Sequence, residues 1–144
     1  MQNPSNLQVY HRALDVAIAA HELAHRVPRT RAPGLASQVG RAAASIPANI
    51  AEGIGHPVPG RCPYHLAVAI ASAFEVEIHL RLAQRLYPRI GDISRLLDEL
   101  DQIRRMIYSL REYKLQQLDA RPETKRGRSP SPFPLPPDHL PPAP

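Results

Sequence analysis

The sequence is poor in cysteine, in aromatic residues and in long apolar runs. Its single cysteine, Cys62, excludes a disulfide within the chain and favours a reducing compartment. Tryptophan is absent, and five tyrosines and two phenylalanines are too few to favour a fold rich in strands. No apolar run approaches the roughly 18 residues of a membrane span, and residues 1–6 lack the pattern of a secretion signal. We therefore expect a cytoplasmic protein with no membrane partner.

Alanine, leucine, isoleucine and arginine are abundant instead, a mixture that helices tolerate well. The chain carries 18 Lys and Arg against 13 Asp and Glu, a formal net charge of +5. A basic surplus of this size favours contact with a polyanion such as nucleic acid, although many soluble proteins carry as much. The charge alone therefore supports nucleic-acid binding only weakly.

Four segments carry apolar residues at alternating spacings of three and four, which is typical of amphipathic helices of about 20 residues. The first is expected to begin at an Asn6 N-cap and to end before Pro28, and the second to end at Gly53 and Gly55. Short connections between the segments predict antiparallel neighbours. Residues 1–118 are therefore predicted to form an all-α, up-and-down antiparallel four-helix bundle. The side chains expected in its core are Leu7, Tyr10, Leu14, Ala17, His21 and Ala24 in the first helix, Leu35, Val39, Ala42, Ile46, Ile50 and Ile54 in the second, Leu66, Ile70, Ala73, either Val76 or Glu77, Leu80 and Ala83 in the third, and Ile93, Leu96, Leu100, Ile103, Ile107 and Leu110 in the fourth.

The helical pattern stops after Leu118, and residues 119–144 contain nine prolines. Such a stretch cannot hold a helix and has few apolar side chains to offset the entropy of ordering. It is predicted to be a disordered, extended tail. The tail is either a dispensable extension or a polyproline II ligand that docks through residues 133–137.

The second helical segment contains an unusual run of small residues over 38–53. Small side chains let a neighbouring helix approach closely, and Pro47 in mid-helix predicts a kink. Arg41, Asn49 and Glu52 lie on a polar stripe beside the apolar one. Because polar groups that face a core must be paired, we expect these three to bond to each other or to adjacent helices.

Within this run, residues 45–53 read Ser-Ile-Pro-Ala-Asn-Ile-Ala-Glu-Gly. They resemble the SIPxNIAEG motif of the four-helix bundle proteins encoded in intervening sequences of bacterial 23S ribosomal RNA genes. The resemblance extends from Leu7 to about Leu110, and the Ser-x-x-Glu element at 72–75 looks like part of the family's third helix. The residues of this structural motif are Arg41, Ser45, Pro47, Asn49, Glu52, Gly53 and Glu75.

The resemblance implies a four-helix bundle that assembles as a homopentameric ring. The related accessory variability determinant proteins of diversity-generating retroelements share that assembly, and they bind nucleic acid and a reverse transcriptase through a basic surface. The ribosomal-insert members imply no particular biochemical activity, so family membership indicates architecture better than function. Residues 54–60 depart from the family pattern, because a proline-containing loop replaces an arginine and a polar stretch.

Basic residues gather on the third and fourth helical segments. They are either an ordinary solvated face balanced by acidic neighbours such as Asp98 and Glu112, or a phosphate-binding surface that a ring would multiply. The scarcity of aromatic residues disfavours base-specific recognition of single strands. The candidate nucleic-acid surface consists of Arg81, Arg85, Arg104, Arg105, Arg111 and Lys114.

Enzymatic and metal chemistry have weaker support. The pairs His21/His25, Glu52/His56 and Glu75/His79 have i, i+4 spacing, but the repeated Glu-x-x-His signature of di-metal bundles is absent. Cys62 is expected in a loop, where Arg61 lowers its pKa slightly, and no neighbouring base is visible.

We therefore predict a non-enzymatic oligomeric bundle, without cofactor or metal, that presents its basic surface to RNA or DNA or to a nucleic-acid enzyme such as a reverse transcriptase. A protein-interaction scaffold without nucleic-acid binding is the alternative, and a metal-binding bundle is the less favoured one.

Overall fold

The computed structural model describes residues 7–28, 30 and 32–120, and this part of the chain folds into four α-helices with no strand. The helices are α1 (Gln8–Ala24), α2 (Leu35–Gly55), α3 (Cys62–Leu86) and α4 (Ser94–Asp119). Short 3₁₀ turns at Pro59–Arg61 and Pro88–Ile90 precede α3 and α4. The predicted all-α class and the four helices are confirmed.

Contacts between the helices give their directions. Ser45 near the middle of α2 meets Ser72 of α3, whereas Gly53 at the end of α2 lies against Cys62 at the start of α3. These two helices are therefore antiparallel. A salt bridge of 2.6 Å between Arg12 and Glu99 joins α1 to α4 and closes the bundle.

The core lies where the sequence places it in the second, third and fourth helices, with few exceptions. All six predicted residues of α2 are buried. Of the residues predicted for the core of α3, all are buried except Ile70, which is partly exposed, and Val76 rather than Glu77 is the buried one of that pair. Of those predicted for the fourth helix, all are buried except Leu96 and Leu110, which are partly exposed. Aliphatic side chains fill the centre, and those that are completely buried include Ile46, Ile50, Leu66, Leu80, Leu100, Ile103 and Ile107.

The predicted core face of α1 is wrong by about one residue. The buried side chains are Val9, Ala13, Val16, Ala20 and Ala24, so that only Ala24 of the predicted set is buried. Both faces have apolar residues at helical spacing, and the larger side chains of the predicted face lie half-buried beside α2 instead. Periodicity alone does not distinguish two neighbouring apolar faces when the smaller residues occupy the tighter one.

The ends of the helices differ in detail from the prediction. Leu7 is the N-cap residue of α1, whereas Asn6 lies outside the described residues. Asp119 ends α4, and the predicted tail from residue 121 onward also lies outside the described part of the chain. No helix within the described ranges is long and apolar enough to cross a membrane.

Candidate functional site

The end of the motif, Gly53, lies very close to α3. A Cβ added to Gly53 would lie 3.0 Å from the Cβ of His65 and 3.2 Å from the backbone oxygen of Cys62. Both separations are shorter than ordinary Cβ contacts, and the backbone oxygen cannot move independently of α3. A side chain at position 53 would therefore force α2 and α3 slightly apart.

A ladder of polar side chains crosses the same interface. Ser72 Oγ donates to the carbonyl oxygen of Val68 at 3.0 Å, so its single hydrogen is used within α3. Ser45 Oγ therefore donates to Ser72 Oγ at 2.9 Å, and Asn49 Nδ2 donates to Ser45 Oγ at 3.0 Å. Each hydroxyl is satisfied, as burial between two helices requires. The motif residues Ser45 and Asn49 thus fix the register of α2 against α3.

The ladder continues at His65, which sequence reasoning did not identify. Its Nδ1 lies 3.4 Å from Asn49 Oδ1 and 3.6 Å from Glu52 Oε2. The prediction that Asn49 and Glu52 bond to each other or to an adjacent helix is confirmed. The prediction for Arg41 is wrong, because this exposed side chain donates to Ser37 Oγ on its own helix at 2.7 Å. The polar stripe drifts around α2, and position 41 has left the interface.

Two further motif residues, Pro47 and Glu75, are not part of the polar ladder. Pro47 is buried within α2, which continues through it to Gly55. Glu75 is exposed on α3 and lies 3.4 Å from His79 Nε2, the surface pair that the spacing favours.

The outer face of α3 carries an unusual row of exposed apolar side chains. Phe74, Ile78, Leu82 and Leu86 follow one another at i, i+4 spacing, and Ile78 is 63% exposed. We call these four residues the outer ridge. The ring of Phe74 lies beneath the Arg104 guanidinium, at 4.4 Å from Cζ to the ring centroid, so the ridge is on the side of α3 that borders α4.

On the other side of the bundle, α1 and α2 enclose an apolar groove of about 590 Å³. Tyr10, Leu14 and Ile18 of α1 form one wall. Small residues of α2 form the opposite wall, namely Gly40, Ala44, Pro47, Ala48 and Ala51. We call this the α1/α2 groove.

Arg81, Arg104, Arg105 and Arg111 of the predicted nucleic-acid surface each have a carboxylate partner. Glu77 accepts from Arg81 at 2.8 Å and from Arg104 at 2.7 Å. These two bonds hold the pKa of Glu77 below its ordinary value, with the Arg81 hydrogen bond contributing most. Arg105 pairs with Asp101, and Arg111 pairs with Glu112 at 2.9 Å.

Glu77 is therefore the centre of an ion-pair network between α3 and α4. One ion pair of this network could be inferred from the sequence, because Glu77 and Arg81 have i, i+4 spacing. Arg104 is 27 residues away in sequence, so its part in the network becomes visible only in the fold.

Arg85 and Lys114 complete the predicted surface. Arg85 is exposed in the last turn of α3, and no carboxylate of the described residues lies within ion-pairing distance of it. The Lys114 ammonium lies 5.9 Å from the centroid of the Tyr113 ring.

None of the possible metal-ligand pairs gains a third ligand among the described residues. His21 and His25 approach to 3.0 Å between their Nε2 atoms, whereas Glu52 contacts His65 rather than His56. Within the described ranges no cluster of three or more His, Cys, Asp or Glu is placed to hold a metal ion.

Cys62 is not in a loop, as its sequence neighbours suggested. It is the first residue of α3 and is buried, and the helix begins there because Pro63 suits the first turn. Burial raises the pKa of the thiol, and the nearby charge of Lys114 opposes this only partly. The expected lowering by Arg61 is therefore wrong, and the thiol is protonated at neutral pH.

Comparison with known proteins gives one result for the chain as a whole. No curated protein matches it. Residues 5–109 match the family described as 23S rRNA-intervening sequence protein, and this range contains α1, α2, α3 and most of α4. Because the match includes the Ser45–Gly53 motif and well over half of the chain, the protein belongs to the 23S rRNA-intervening sequence protein family.

Proposed function

We propose that the protein is a non-enzymatic four-helix bundle that assembles as a homopentameric ring and presents a basic surface to RNA or DNA, or to a nucleic-acid enzyme such as a reverse transcriptase. The observation that carries this proposal is the presence of two unlike apolar surfaces on one chain, the outer ridge and the α1/α2 groove.

The shapes and positions of these surfaces favour head-to-tail assembly. The outer ridge is convex and borders α4, whereas the groove is concave and lies on the opposite side of the bundle. A ridge that enters the groove of the next copy makes a heterologous contact, which generates a ring when the rotation closes. Covering half-exposed leucine, isoleucine and phenylalanine side chains contributes about 1 kcal/mol for each. The ion pairs of Arg81 and Arg104 would then form a polar rim around an apolar contact.

Sedimentation velocity of Ile78→Asp tests the assembly. The wild type should sediment with a mass five times the 16.0 kDa of one chain, and the variant should be monomeric because a carboxylate at the ridge centre would be buried unpaired. Val58→Asp is the matched control, since Val58 is similarly exposed but lies in the α2–α3 connection. A monomeric wild type at tens of micromolar, or an assembled Ile78→Asp variant that retains wild-type helicity, contradicts the assembly.

The basic surface is supported by charge that remains after internal pairing. Arg81, Arg104 and Arg105 share only the carboxylates of Glu77 and Asp101, and Arg85 has no carboxylate partner among the described residues. Around Glu77 and Asp101 the arginines therefore outnumber the carboxylates that they contact, although α3 and α4 taken whole carry seven Lys and Arg against seven Asp and Glu. A ring repeats these arginines around its axis, which raises the local potential that attracts a polyanion.

Fluorescence anisotropy with a labelled 20-nucleotide RNA and the matching DNA, at 50 mM and 200 mM salt, tests this part. The wild type should bind and should lose affinity at the higher salt concentration, because binding releases condensed counterions. Arg85→Glu/Arg105→Glu should weaken binding by at least ten-fold. Arg61→Glu, an exposed arginine in the α2–α3 connection, is the control for total charge. The absence of wild-type binding at 50 mM salt refutes the nucleic-acid function.

A protein-interaction scaffold is the second candidate, because the outer ridge also suits a helical partner. The two functions differ in their requirements. A scaffold needs the ridge but not the arginines, so it replaces the first proposal if the wild type binds neither RNA nor DNA.

A further inference from the structure

A second group of arginines lies at the end of the bundle where α1 and α3 both stop. Arg26 lies two residues beyond the end of α1, Arg85 lies in the last turn of α3, and Arg89 lies in the 3₁₀ turn that leads to α4. Arg26 and Arg89 line one groove of about 380 Å³. Its other walls are largely apolar and consist of Pro28, Leu86, Tyr87, Pro88 and Ile90. We call this the arginine groove.

The arginines of this groove differ from those of the Glu77 network in their partners. Among the described residues, no carboxylate lies within ion-pairing distance of Arg26 or Arg89, which line the groove, or of Arg85, which is next in sequence to its wall residue Leu86. Asp92 is close in sequence, but its two oxygens accept from the backbone N–H and the hydroxyl of Ser94, at 2.9 and 2.8 Å. The groove therefore keeps a positive charge that no carboxylate in the described part of the chain neutralises.

The hydrogen-bond donors of the groove are also largely unused. A guanidinium has five N–H donors, and among the described residues the one hydrogen bond of the Arg26 side chain is a long 3.5 Å approach of Nη1 to the carbonyl oxygen of Ile90. That contact holds Arg26 across the α3–α4 connection and leaves its remaining donors available. Arg89 is exposed and makes no hydrogen bond within the described part of the chain.

Helix dipoles explain only part of this charge. Cations near a helix C-terminus are stabilised because the helix end carries about half a negative charge, and both α1 and α3 end here. Two such ends balance about one of the three guanidinium charges. A surplus of this size beside apolar walls fits an anion that carries more than one charge and offers pairs of oxygens to the planar fork of a guanidinium, as phosphate groups do.

We infer that the arginine groove binds phosphate groups, and that in the assembled protein these belong to the backbone of a nucleic acid. The second half of this inference rests on the proposed function, whereas the first half does not. It extends the basic surface from the outer faces of α3 and α4, where most arginines are paired, to an end of the bundle where three are not.

Inorganic pyrophosphate is the first probe, because it tests the groove without nucleic acid. In ¹H–¹⁵N spectra of the arginine Nε–H groups of the full-length protein, pyrophosphate should shift the signals of Arg26 and Arg89 more than those of Arg81 and Arg105. Arg26→Gln/Arg89→Gln should weaken binding at least ten-fold. The matched control, Arg81→Gln/Arg105→Gln, removes two paired arginines and should change binding less than three-fold. No shift, or an equal loss in the two double variants, overturns the inference.

The 20-nucleotide RNA is the second probe. Arg26→Gln/Arg89→Gln should reduce the affinity at least ten-fold and should lower the salt slope by about 0.7 for each phosphate of the single strand that the variant no longer neutralises. Wild-type RNA binding that this variant leaves unchanged overturns the inference but not the proposed function. Pyrophosphate binding at Arg26 and Arg89 without any RNA binding refutes the proposed function and supports the groove as a phosphate site. Circular dichroism of each variant confirms that the helices are intact.

Discussion

The inner and outer faces of α3 are built for different contacts. The inner face packs against α2 through Gly53 and a ladder of hydrogen bonds in which each donor has a defined acceptor. The outer face has larger apolar side chains, Phe74 and Ile78 among them, which contact little of their own chain. A helix that is apolar on both faces has more apolar surface than one bundle can bury, which is typical of a protein that associates.

Matched leucines on the two faces give the largest contrast. Leu66 is completely buried, whereas Leu82 on the outer ridge is 45% exposed. Leu66→Ala should lower the free energy of unfolding by about 2–5 kcal/mol because it leaves a cavity. Leu82→Ala should cost less than about 0.5 kcal/mol in the monomer. Urea denaturation at low protein concentration measures both, and similar losses for the two variants contradict the difference between the faces.

Two glycines of α2 sharpen the comparison at the inner face. Gly53→Ala should destabilise the protein by about 1–3 kcal/mol, because the added methyl group overlaps α3. Gly55→Ala meets nothing within 4 Å, and in the last turn of a helix it should be neutral or stabilise by up to about 1 kcal/mol. The thermal unfolding midpoints of the two variants measure this difference in stability. A neutral Gly53→Ala would mean that α2 and α3 are packed less tightly than the geometry requires.

The smallest change in stability is expected at Glu77, which joins α3 to α4 through Arg104. The pKa of this carboxyl group is lower in the folded protein than its ordinary value of 4.5, because Arg81 and Arg104 donate hydrogen bonds to the ionised form. Its contribution to stability is therefore complete above the unfolded pKa, and it is lost as the pH falls through the folded pKa. Glu77→Gln should unfold at a lower urea concentration than the wild type at pH 7.

The difference between Glu77→Gln and the wild type should shrink as the pH falls below 4.5. A pH titration of the urea midpoint measures it. A difference that stays constant down to about pH 3, well below the ordinary carboxyl pKa, would mean that the ion pairs do not stabilise the fold.

The sequence predicted the elements of the fold better than the surroundings of its side chains. All six residues predicted for the core face of α2 are buried, since aliphatic residues recur there at helical spacing, whereas the burial of Ala43, Pro47 and Gly53 was not predicted. The face of α1 was not, because its small residues enter the core while Tyr10 and Leu14 line a groove.

For the candidate site, the i, i+4 pair of Glu77 and Arg81 was visible in the sequence. The bond from Arg104 was not, since it depends on how α4 packs against α3. The arginine groove was equally hidden, because two helix ends that are distant in sequence form it.

Cys62 offers a kinetic view of the inner face. It is the chain's one thiol, it is buried, and its backbone lies against Gly53. An alkylating reagent can reach it only when the start of α3 separates from α2, so the rate of modification under native conditions reports how often that junction opens. The modification rate of Cys62 therefore measures local opening between α2 and α3. A residue that crowds this junction should raise the rate.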